Sequence, residues 1–409
     1  MSARRVAMLS VHTSPLAQPG AGDSGGMNVY VRAIASALAR AGVACDVLTR
    51  ADHAEQPPVV VVEPRFRVVH VPAGPAAPVP KHSLPELIEP FGDAVLDQLD
   101  RCGVDYDVLH ANYWISGAVG HRLKHELDLP LVATFHTLDR VKAEAGAGDD
   151  PEVRARHEAD TVRCADLMVA STGEEREQLV ALYGAARDRI EIVPPGVDHH
   201  VFAPGDRDAA RRALGLEPAD RILLFVGRIQ PLKGAALAVR ALAELGDGRT
   251  TLVVVGGPSG PEGEPELARL HALVTELDLT AQVRFVPPQP HDELAVYYQA
   301  ADVCLVPSRT ESFGLVALEA AACGTPVVAA DVGGLRSLVD DGHTGFLVEG
   351  RSAHDYAAPV ALLLDDRELA DELGRNAAAR AAGYTWSITA ARLRRLYSDL
   401  AVREPVQCI

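Results

Sequence analysis

Two glutamates and the short turn between them are the residues of this chain best suited to bind a phosphorylated sugar. Glu311 precedes a predicted helix of small residues, and Glu319 lies about two turns into it. The first N–H groups of a helix can bind an anion, and carboxylates accept paired hydrogen bonds from sugar hydroxyls. Residues 307–326 therefore favour a site for a sugar joined to a diphosphate. An ordinary strand, turn and helix with two solvated glutamates has the same spacing.

A second candidate phosphate contact is the turn at residues 227–234, which follows the predicted buried strand 223–226. Arg228 and Lys233 flank this turn. Two cations at one turn would neutralise the negative charge that develops on a diphosphate leaving group. Taken without context, both side chains could equally face solvent, as most Lys and Arg residues do.

The N-terminal half places polar residues directly after predicted strands. These residues are His12, Tyr113, His136 and Thr137. In an open parallel sheet, ligands collect beyond the carboxyl ends of the strands, so this placement favours a second binding site. Each residue taken alone is more typical of a packed or solvated loop. The paired glycines Gly25 and Gly26 would let a ligand approach a helix start, and their spacing differs from the dinucleotide-binding Gly-x-Gly-x-x-Gly motif.

The elements that must position these residues alternate between strands and helices in both halves of the chain. This alternation is typical of βαβ units in doubly wound sheets, and 409 residues are enough for two such cores. We therefore predict an α/β protein with two Rossmann-like domains. The first comprises residues 1–197 and the second residues 198–384, and the turn-rich segment 194–198 marks the boundary.

Composition and charge argue against several classes of function. The chain has 39 basic and 56 acidic residues and a net charge of −17, so we expect no binding to nucleic acid or to an anionic membrane. No apolar run is long enough to span a bilayer, and we expect no signal peptide. The six cysteines have no paired spacing, which favours a reduced, cytoplasmic compartment, and we expect no metal cluster.

Several motifs together resemble the retaining, nucleotide-sugar-dependent glycosyltransferases of the GT-B fold, in which two Rossmann-like domains face each other across a cleft. Glu311 and Glu319 match the Glu-x7-Glu signature of those enzymes. Gly-Thr-Pro-Val at 324–327 and the paired glycines at 333–334 match the segments that follow the signature. The turn at 227–234 matches the same enzymes. The resemblance covers nearly the whole chain.

The N-terminal half is similar to one branch of this family, the glycosyltransferases that open mycothiol biosynthesis. Those enzymes move N-acetylglucosamine from UDP-GlcNAc to 1D-myo-inositol 3-phosphate. The similarity lies in residues 10–16, 25–30 and 113–117. It implies an acceptor-binding first domain, completed by a last helix within 385–409, and a donor-binding second domain. The implied partners are small molecules. No cofactor is required, a structural magnesium ion is not predicted, and a homodimer is left open.

The resemblance also implies roles for individual residues. The implied catalytic residues are His136, Glu311, Arg228 and Lys233. The implied donor-binding residues are Gly25, Gly26, Arg228, Lys233, Gln289, Glu311, Ser312, Phe313, Gly314, Leu315 and Glu319. The implied acceptor-binding residues are His12, Asn28, Lys81, Tyr113, Thr137 and Arg154. In this scheme the leaving phosphate deprotonates the acceptor, and no residue acts as a covalent nucleophile.

Two departures from the family pattern lie beside the implied acceptor pocket. Ala111 and Asn112 stand where Ser and His are expected, and Phe135 stands where Ala is expected. They leave open a different acceptor. It could be another sugar phosphate, as in sucrose-phosphate synthases, or a specialised metabolite, and the donor could be a different nucleotide sugar. A UDP-GlcNAc 2-epimerase is a more distant alternative, because those enzymes lack the Glu-x7-Glu block. A catalytically inactive nucleotide-sugar-binding protein is the last alternative.

Overall fold

Two β-sheets with strands running mostly in parallel form the frame of the protein. The structure is a computed structural model that describes residues 3–20, 22–144, 146 and 151–408, with the backbone alone at Lys81 and Pro151. One sheet has eight strands and the other six, and helices connect successive strands. This arrangement confirms the predicted α/β class with two Rossmann-like domains.

The strands of the eight-stranded sheet are β1 (Arg5–Leu9), β2 (Ala44–Arg50), β3 (Val59–Glu63), β4 (Phe66–Val71), β5 (Val108–Asn112), β6 (Leu131–Thr134), β7 (Leu167–Ala170) and β8 (Ile190–Ile192). Those of the six-stranded sheet are β9 (Arg221–Val226), β10 (Thr250–Val255), β11 (Val283–Val286), β12 (Val303–Val306), β13 (Val327–Ala330) and β14 (Gly345–Val348). The spatial orders are β3-β4-β2-β1-β5-β6-β7-β8 and β11-β10-β9-β12-β13-β14. All neighbours are parallel except β3 and β4.

The helices before the six-stranded sheet are α1 (Gly26–Arg40), α2 (Ile88–Cys102), α3 (Trp114–Leu127), α4 (Asp139–Glu144), α5 (Pro151–Cys164), α6 (Gly173–Tyr183) and α7 (Arg207–Ala213). The remaining ones are α8 (Ala235–Leu245), α9 (Gly263–Glu276), α10 (Leu294–Ala300), α11 (Leu315–Ala322), α12 (Leu335–Leu338), α13 (Ala353–Asp365), α14 (Arg367–Ala381) and α15 (Trp386–Leu400). Short 3-10 helices span Lys81–Leu87, Arg187–Arg189, Pro231–Lys233 and His291–Glu293.

Central strands such as β1 are buried on both faces because helices cover both sides of the sheet. Alternate residues of β1 therefore enter different cores. Val6 and Met8 pack in a cluster with residues of α1 and α15, whereas Ala7 and Leu9 pack in a cluster with residues of α2 and α3. The six-stranded sheet has its own apolar cluster, to which all of its strands contribute.

The chain divides into two compact units whose limits differ from the predicted domains. Unit 1 comprises Met1–Ala17, Met27–Pro194 and Trp386–Ile409, and unit 2 comprises Gln18–Gly26 and Pro195–Thr385. Two segments assigned to the first domain from the sequence, 18–26 and 195–197, thus group with unit 2. The second is held by a backbone hydrogen bond from Val197 N–H to the Tyr384 carbonyl, at 3.1 Å.

The Pro-rich segment 72–85 is not a loop throughout, because it ends in the 3-10 helix Lys81–Leu87, which includes Pro85. Helices α13 and α14 are separated by Asp366. This residue has extended backbone, and its side chain accepts a hydrogen bond from Leu369 N–H at the start of α14. Asp is a favourable residue at that position because it satisfies an N–H that the helix leaves unpaired.

The last helix, α15, packs against the eight-stranded sheet and belongs to unit 1. Leu393 and Tyr397 are fully buried on its inner face. Tyr397 Oη also lies 2.5 Å from Nδ1 of His110 in β5, so the helix is tied to the sheet by a polar contact as well as by apolar packing. None of the helices in the described ranges is long and apolar enough to cross a membrane.

We predict that Leu393→Ala lowers the free energy of unfolding of unit 1 by about 2–4 kcal/mol, because it opens a cavity under α15. Arg395→Ala on the same helix is the matched control, since its side chain is 84% exposed. Tryptophan fluorescence during urea denaturation measures the effect, because Trp114 and Trp386 both belong to unit 1. Equal effects of the two substitutions would contradict the assignment of α15 to this core.

Candidate active site

The turn after β9 carries both predicted diphosphate contacts, Arg228 and Lys233, and Lys233 lies next to Glu311. Lys233 ends a 3-10 helix, and Gly234 follows it with φ of 75°. A Cβ atom at Gly234 would lie 2.3 Å from the carbonyl oxygen of Pro307, so only glycine allows the turn to approach the end of β12. Lys233 Nζ consequently lies 2.6 Å from Glu311 Oε2 in an ion pair.

The loop that carries Glu311 is supported by the paired glycines Gly333 and Gly334. The Glu311 carbonyl oxygen accepts a hydrogen bond from Gly334 N–H at 2.8 Å. A Cβ atom at Gly333 would lie 2.0 Å from the same oxygen, and one at Gly334 would lie 2.4 Å from Phe313 Cα. These contacts give a physical reason for the glycine pair, since any larger residue would displace the Glu311 loop.

Helix α11 begins at Leu315, after Gly314, and no side chain caps its first turn. Its first turn also carries no acidic residue. Unsatisfied N–H groups and a positive helix end are favourable for an anion. Phe313 is buried in the apolar cluster of unit 2, so it can offer a ligand only its backbone. Because the helix starts at Leu315, Glu319 lies about one turn inside it, not two.

Glu319 is buried, and both of its carboxylate oxygens have protein partners. Tyr298 Oη donates to Oε2 at 2.8 Å, and His291 Nε2 lies 2.7 Å from Oε1. Burial, followed by the charge of Glu319, raises the pKa of Tyr298 well above its ordinary value, so the hydroxyl stays a donor. The two partners fix the carboxylate, and each of its oxygens has a further lone pair for a ligand hydroxyl. Sequence reasoning missed both partners, because neither has motif spacing to Glu319.

The glycine-rich segment Gln18–Gly26 groups with unit 2 and lies beside predicted donor-binding residues. A Cβ atom at Gly25 would be 3.2 Å from Arg228 Nε, and one at Gly26 would be 3.4 Å from Leu315 Cδ1. Arg228 Nη1 lies 3.5 Å from the Asp23 carbonyl oxygen. The structure thus brings Gly25, Gly26 and Arg228 together, although they are far apart in the chain.

Gln289 is engaged within its own loop and with the same glycine-rich segment. Its side-chain amide donates to the Pro287 carbonyl at 2.8 Å. Its backbone carbonyl accepts from Gln18 Nε2 at 2.5 Å. The Gln289 carbonyl keeps a second lone pair that can accept a hydrogen bond from a ligand.

In unit 1, the strands that precede the predicted polar residues are neighbours in the order β1-β5-β6. His12, Tyr113, His136 and Thr137 follow their carboxyl ends, as predicted from the sequence. Tyr113 has φ of 76° and His136 has φ of 62°. A left-handed backbone at a residue with a bulky side chain costs about 1–3 kcal/mol and is concentrated at functional sites. Sequence spacing does not reveal this strain at two of the predicted site residues.

Arg154 joins these strand ends. Its Nη1 donates to Tyr113 Oη at 3.2 Å, and its Nη2 donates to the Thr137 carbonyl at 2.7 Å and to Thr137 Oγ1 at 3.0 Å. Its Nε donates to Glu158 Oε1 at 2.8 Å, one helical turn away. Arg154 is buried, whereas its neighbour Arg156 is exposed. The structure therefore brings Tyr113, Thr137 and Arg154 into one cluster.

The charge state of this cluster is fixed by its buried acids. Desolvation alone would lower the pKa of Arg154, but its interactions with Tyr113, Glu158 and Asp139 outweigh it and raise the pKa above its ordinary value. The guanidinium is thus permanently charged. Because Tyr113 Oη and Thr137 Oγ1 both accept hydrogen bonds from it, their own hydroxyl hydrogens can point to a ligand.

The other predicted acceptor residues lie in three different environments. His12 packs against the Tyr113 ring, with centroids 4.9 Å apart. Asn28 is buried near the start of α1, and its Nδ2 donates to Thr13 Oγ1 and to the Ser14 carbonyl, at 2.8 and 2.7 Å. Asn28 therefore positions the loop after β1. Lys81 begins a 3-10 helix, and its side chain lies outside the described residues.

His136 is held neutral in the structure. Its Nε2 lies 2.9 Å from Asn112 Oδ1, and its ring packs edge-on against Tyr30. Burial, together with the nearby His110, lowers the pKa of His136 to about 3. Asn112, at a position where we expect a departure from the family pattern, thus orients the imidazole. Phe135, at the other such position, is buried in the core of unit 1.

Comparison with known proteins identifies the family. The family model for glycosyl transferases group 1 matches residues 206–380, and that for glycosyltransferase family 4 matches residues 24–201. A D-inositol 3-phosphate glycosyltransferase of Nocardia farcinica is 50% identical over 402 residues, which cover 96% of this chain and 89% of that protein. The chain belongs to this family of glycosyltransferases. A protein of the same description from Acidothermus cellulolyticus is 50% identical over 408 residues, covering 97% of this glycosyltransferase and 90% of its relative.

A solved structure supports the same conclusion for the fold. The sucrose-phosphate synthase of Thermosynechococcus elongatus superimposes on this glycosyltransferase with a TM-score of 0.90 and 35% identity, covering 97% of this chain and 99% of the other. The predicted GT-B fold and the predicted class of nucleotide-sugar-dependent transferase are both confirmed.

We predict that the buried, neutral His136 lowers the free energy of unfolding of the enzyme as the pH falls. An unfolded histidine binds a proton below about pH 6.5, but His136 in the folded chain does not until about pH 3, so its stabilising contribution is complete above 6.5 and is lost as the pH falls. Between pH 7 and pH 5, His136→Gln should therefore lose about 2 kcal/mol less unfolding free energy than the wild type. Urea denaturation at several pH values measures this difference.

The control for this measurement is His53→Gln, because the His53 side chain is 68% exposed. Its pH dependence should match that of the wild type. A His136→Gln variant with wild-type pH dependence would contradict a neutral, buried imidazole.

Proposed function

We propose that this glycosyltransferase transfers N-acetylglucosamine from UDP-GlcNAc to 1D-myo-inositol 3-phosphate with retention of the anomeric configuration. The observation that carries the proposal is the Arg154 cluster at the strand ends of unit 1, where two hydroxyls and a permanent cation converge. A phosphate dianion only accepts hydrogen bonds, which suits these donors. Relatives that are 50% identical are described as D-inositol 3-phosphate glycosyltransferases, and this supports the acceptor.

The charge balance of the cluster supports a role for a second cation beside Arg154. Arg154 already shares its charge with Glu158 at 2.8 Å and with Asp139 at 3.8 Å, and both acids are buried. A phosphate dianion therefore needs a further cation, and we propose that Lys81 supplies it. Tyr113 and Thr137 would supply directed hydrogen bonds, and Asn28 and His12 would meet the cyclitol hydroxyls.

On the donor side, the proposed ligand is a nucleoside diphosphate sugar. Arg228, Lys233 and the uncapped start of α11 would stabilise the diphosphate charge as it develops. Glu311 would bind sugar hydroxyls, and Glu319, fixed by its two partners, would bind the ribose. This scheme requires no cofactor.

The proposed reaction balances without a protein nucleophile. The bond between the anomeric carbon and the diphosphate oxygen breaks, and a bond from the acceptor hydroxyl oxygen to the same carbon forms on the same face. The acceptor proton passes to the leaving phosphate oxygen. Neutral His136 would orient the donor sugar by a hydrogen bond and would not act as an acid. The protein contributes positioning and charge stabilisation.

A second candidate is transfer to another sugar phosphate from a different nucleotide sugar. The likeness to a sucrose-phosphate synthase favours it. The departures that we expect from the family pattern at Asn112 and Phe135 are consistent with it. Either acceptor presents a phosphate to the same cluster, so the difference lies in the ring that carries it.

Mass-spectrometric product analysis separates these candidates. The enzyme is incubated with UDP-GlcNAc, UDP-glucose or a GDP-sugar, and with inositol 3-phosphate, a hexose phosphate or no acceptor. We expect the GlcNAc adduct of inositol 3-phosphate, with NMR of the product establishing its anomeric configuration. A product from a hexose phosphate alone would favour the second candidate. Epimerised UDP-GlcNAc without acceptor would point to an epimerase, and an absence of turnover to an inactive binding protein.

We predict that Tyr113→Phe raises KM for the phosphorylated acceptor about tenfold or more and changes kcat by less than about twofold. The variant keeps the ring that packs on His12 and loses only a hydrogen bond to a charged group, which is worth about 1.5–3 kcal/mol. KM for the nucleotide sugar should not change. Tyr297→Phe in unit 2 is the matched control, and an unchanged acceptor KM would count against the phosphate assignment.

We also predict that Lys233→Met and Glu311→Gln each reduce kcat at least about 100-fold, because each removes charge or hydrogen bonding at the leaving group or sugar. Circular dichroism and melting temperature should stay close to wild type, since both side chains are partly exposed. Lys142→Met, a lysine in unit 1, serves as the control. Near-wild-type turnover in a folded variant would refute the proposed donor site.

A further inference from the structure

Four side chains with metal-binding atoms meet on unit 1, and none of them is assigned to sugar transfer. His121 and His125 belong to α3, Cys164 is the last residue of α5, and Cys408 lies in the segment after α15. Their candidate ligand atoms all lie within 4.8 Å of one another. Sequence spacing did not predict this cluster, because 244 positions separate the two cysteines.

Helix geometry explains the pair of imidazoles. His121 and His125 are four residues apart in α3, so their side chains leave the same face of the helix one turn apart. The ring centroids are 5.3 Å apart. Paired histidines at this spacing are a recurrent way for a helix to hold a metal ion.

The C-terminal segment is held in place by contacts other than the sulfur atoms. Val406 N–H donates to Asp166 Oδ1 at 2.5 Å. Asp166 Oδ2 accepts from buried Lys124 Nζ at 2.7 Å, and the same Nζ donates to the Cys164 carbonyl at 2.7 Å. This hydrogen-bond network holds Cys408 next to the two histidines and holds Cys164 beside them.

One distance around Cys408 lies in the range for two ligands of one zinc ion, and a second is slightly shorter. Its Sγ lies 3.1 Å from His125 Nε2 and 3.6 Å from His121 Nε2. Ligand atoms around a tetrahedral zinc ion are about 3.3–3.8 Å apart, given zinc–sulfur and zinc–nitrogen bonds of about 2.3 and 2.0–2.1 Å.

The structure pairs Cys164 and Cys408 as a disulfide, with Cα atoms 4.9 Å apart. A disulfide alone gives no role to the imidazoles, because a disulfide sulfur is a poor hydrogen-bond acceptor for two ring nitrogens.

We propose that the reduced chain binds Zn²⁺ in a Cys2His2 site made by His121, His125, Cys164 and Cys408. Binding would release the two thiol protons, so that two thiolates, two neutral imidazoles and one Zn²⁺ give a site with no net charge. Thiolate and imidazole ligands select zinc over magnesium or calcium. Four protein ligands leave no open position for a substrate, which makes the site structural: it fastens the C-terminal segment to α3 and α5.

The test uses the full chain, purified in reductant, with metal measured by mass spectrometry and Co²⁺ as a spectroscopic probe. We expect about one zinc per chain. When Co²⁺ is added to the metal-free protein, the visible and near-ultraviolet bands of tetrahedral, thiolate-bound Co²⁺ should appear. Cys408→Ser and His125→Ala, which alter the less buried ligands, should weaken zinc binding at least about 100-fold. Cys102→Ser should bind normally, because Cys102 is an exposed, free cysteine.

Thermal denaturation gives a second readout that is independent of sugar transfer. A strong chelator should lower the melting temperature of the wild type and of Cys102→Ser, and should have no effect on Cys408→Ser.

Two results would overturn the proposal. One is a protein in which Cys164 and Cys408 form a disulfide as purified without reductant, and which takes up neither Zn²⁺ nor Co²⁺ after it has been reduced and freed of metal. The other is zinc binding that Cys408→Ser and His125→Ala leave unchanged.

Discussion

The proposed donor site depends on one contact, the hydrogen bond that the Glu311 carbonyl oxygen accepts. This oxygen accepts the Gly334 N–H and occupies space that a side chain at residue 333 would need. This contact fixes the loop leading to the start of α11. The ion pair between Glu311 and Lys233 connects this loop to the turn after β9 and so restricts the position of that turn as well. The backbone is therefore arranged before a ligand arrives, so little loss of conformational entropy opposes binding. If larger residues replaced these glycines, the charged side chains would remain but the loop that positions Glu311 would be displaced.

Unit 1 holds its polar groups by a different physical means. Tyr113 and His136 adopt backbone conformations that are unfavourable for their side chains. Arg154 offsets this cost around Tyr113 through its hydrogen bonds to Tyr113 and Thr137, and Asn112 does so for His136. Arg154 is itself kept in place by Glu158, a buried acid on the same helix. One unit thus relies on close backbone packing and the other on a buried charged side chain.

Local sequence signals predicted the fold and part of the site. Apolar runs, glycine turns and capping residues act over a few positions, which is why the strands and the polar residues at their ends were found. The partners of Glu319 could not be found in this way, because His291 and Tyr298 lie 28 and 21 positions away and meet it only after the sheet forms. The meeting of Cys164 with Cys408 has the same cause at a greater separation. The likeness to known glycosyltransferases supplied roles that spacing alone left open, and residue roles that depend on a bound ligand stay predictions.

The path of the chain between the two units has an evolutionary consequence. It crosses at residues 17–18, 26–27, 194–195 and 385–386, so neither unit is a single continuous stretch. Recombination at one point near residue 194 would combine the eight-stranded sheet of one parent with α15 of the other, and segment Gln18–Gly26 of one parent with the rest of unit 2 of the other. Exchange of whole modules between relatives is therefore disfavoured, because a single crossover would mix parental sequences within both units.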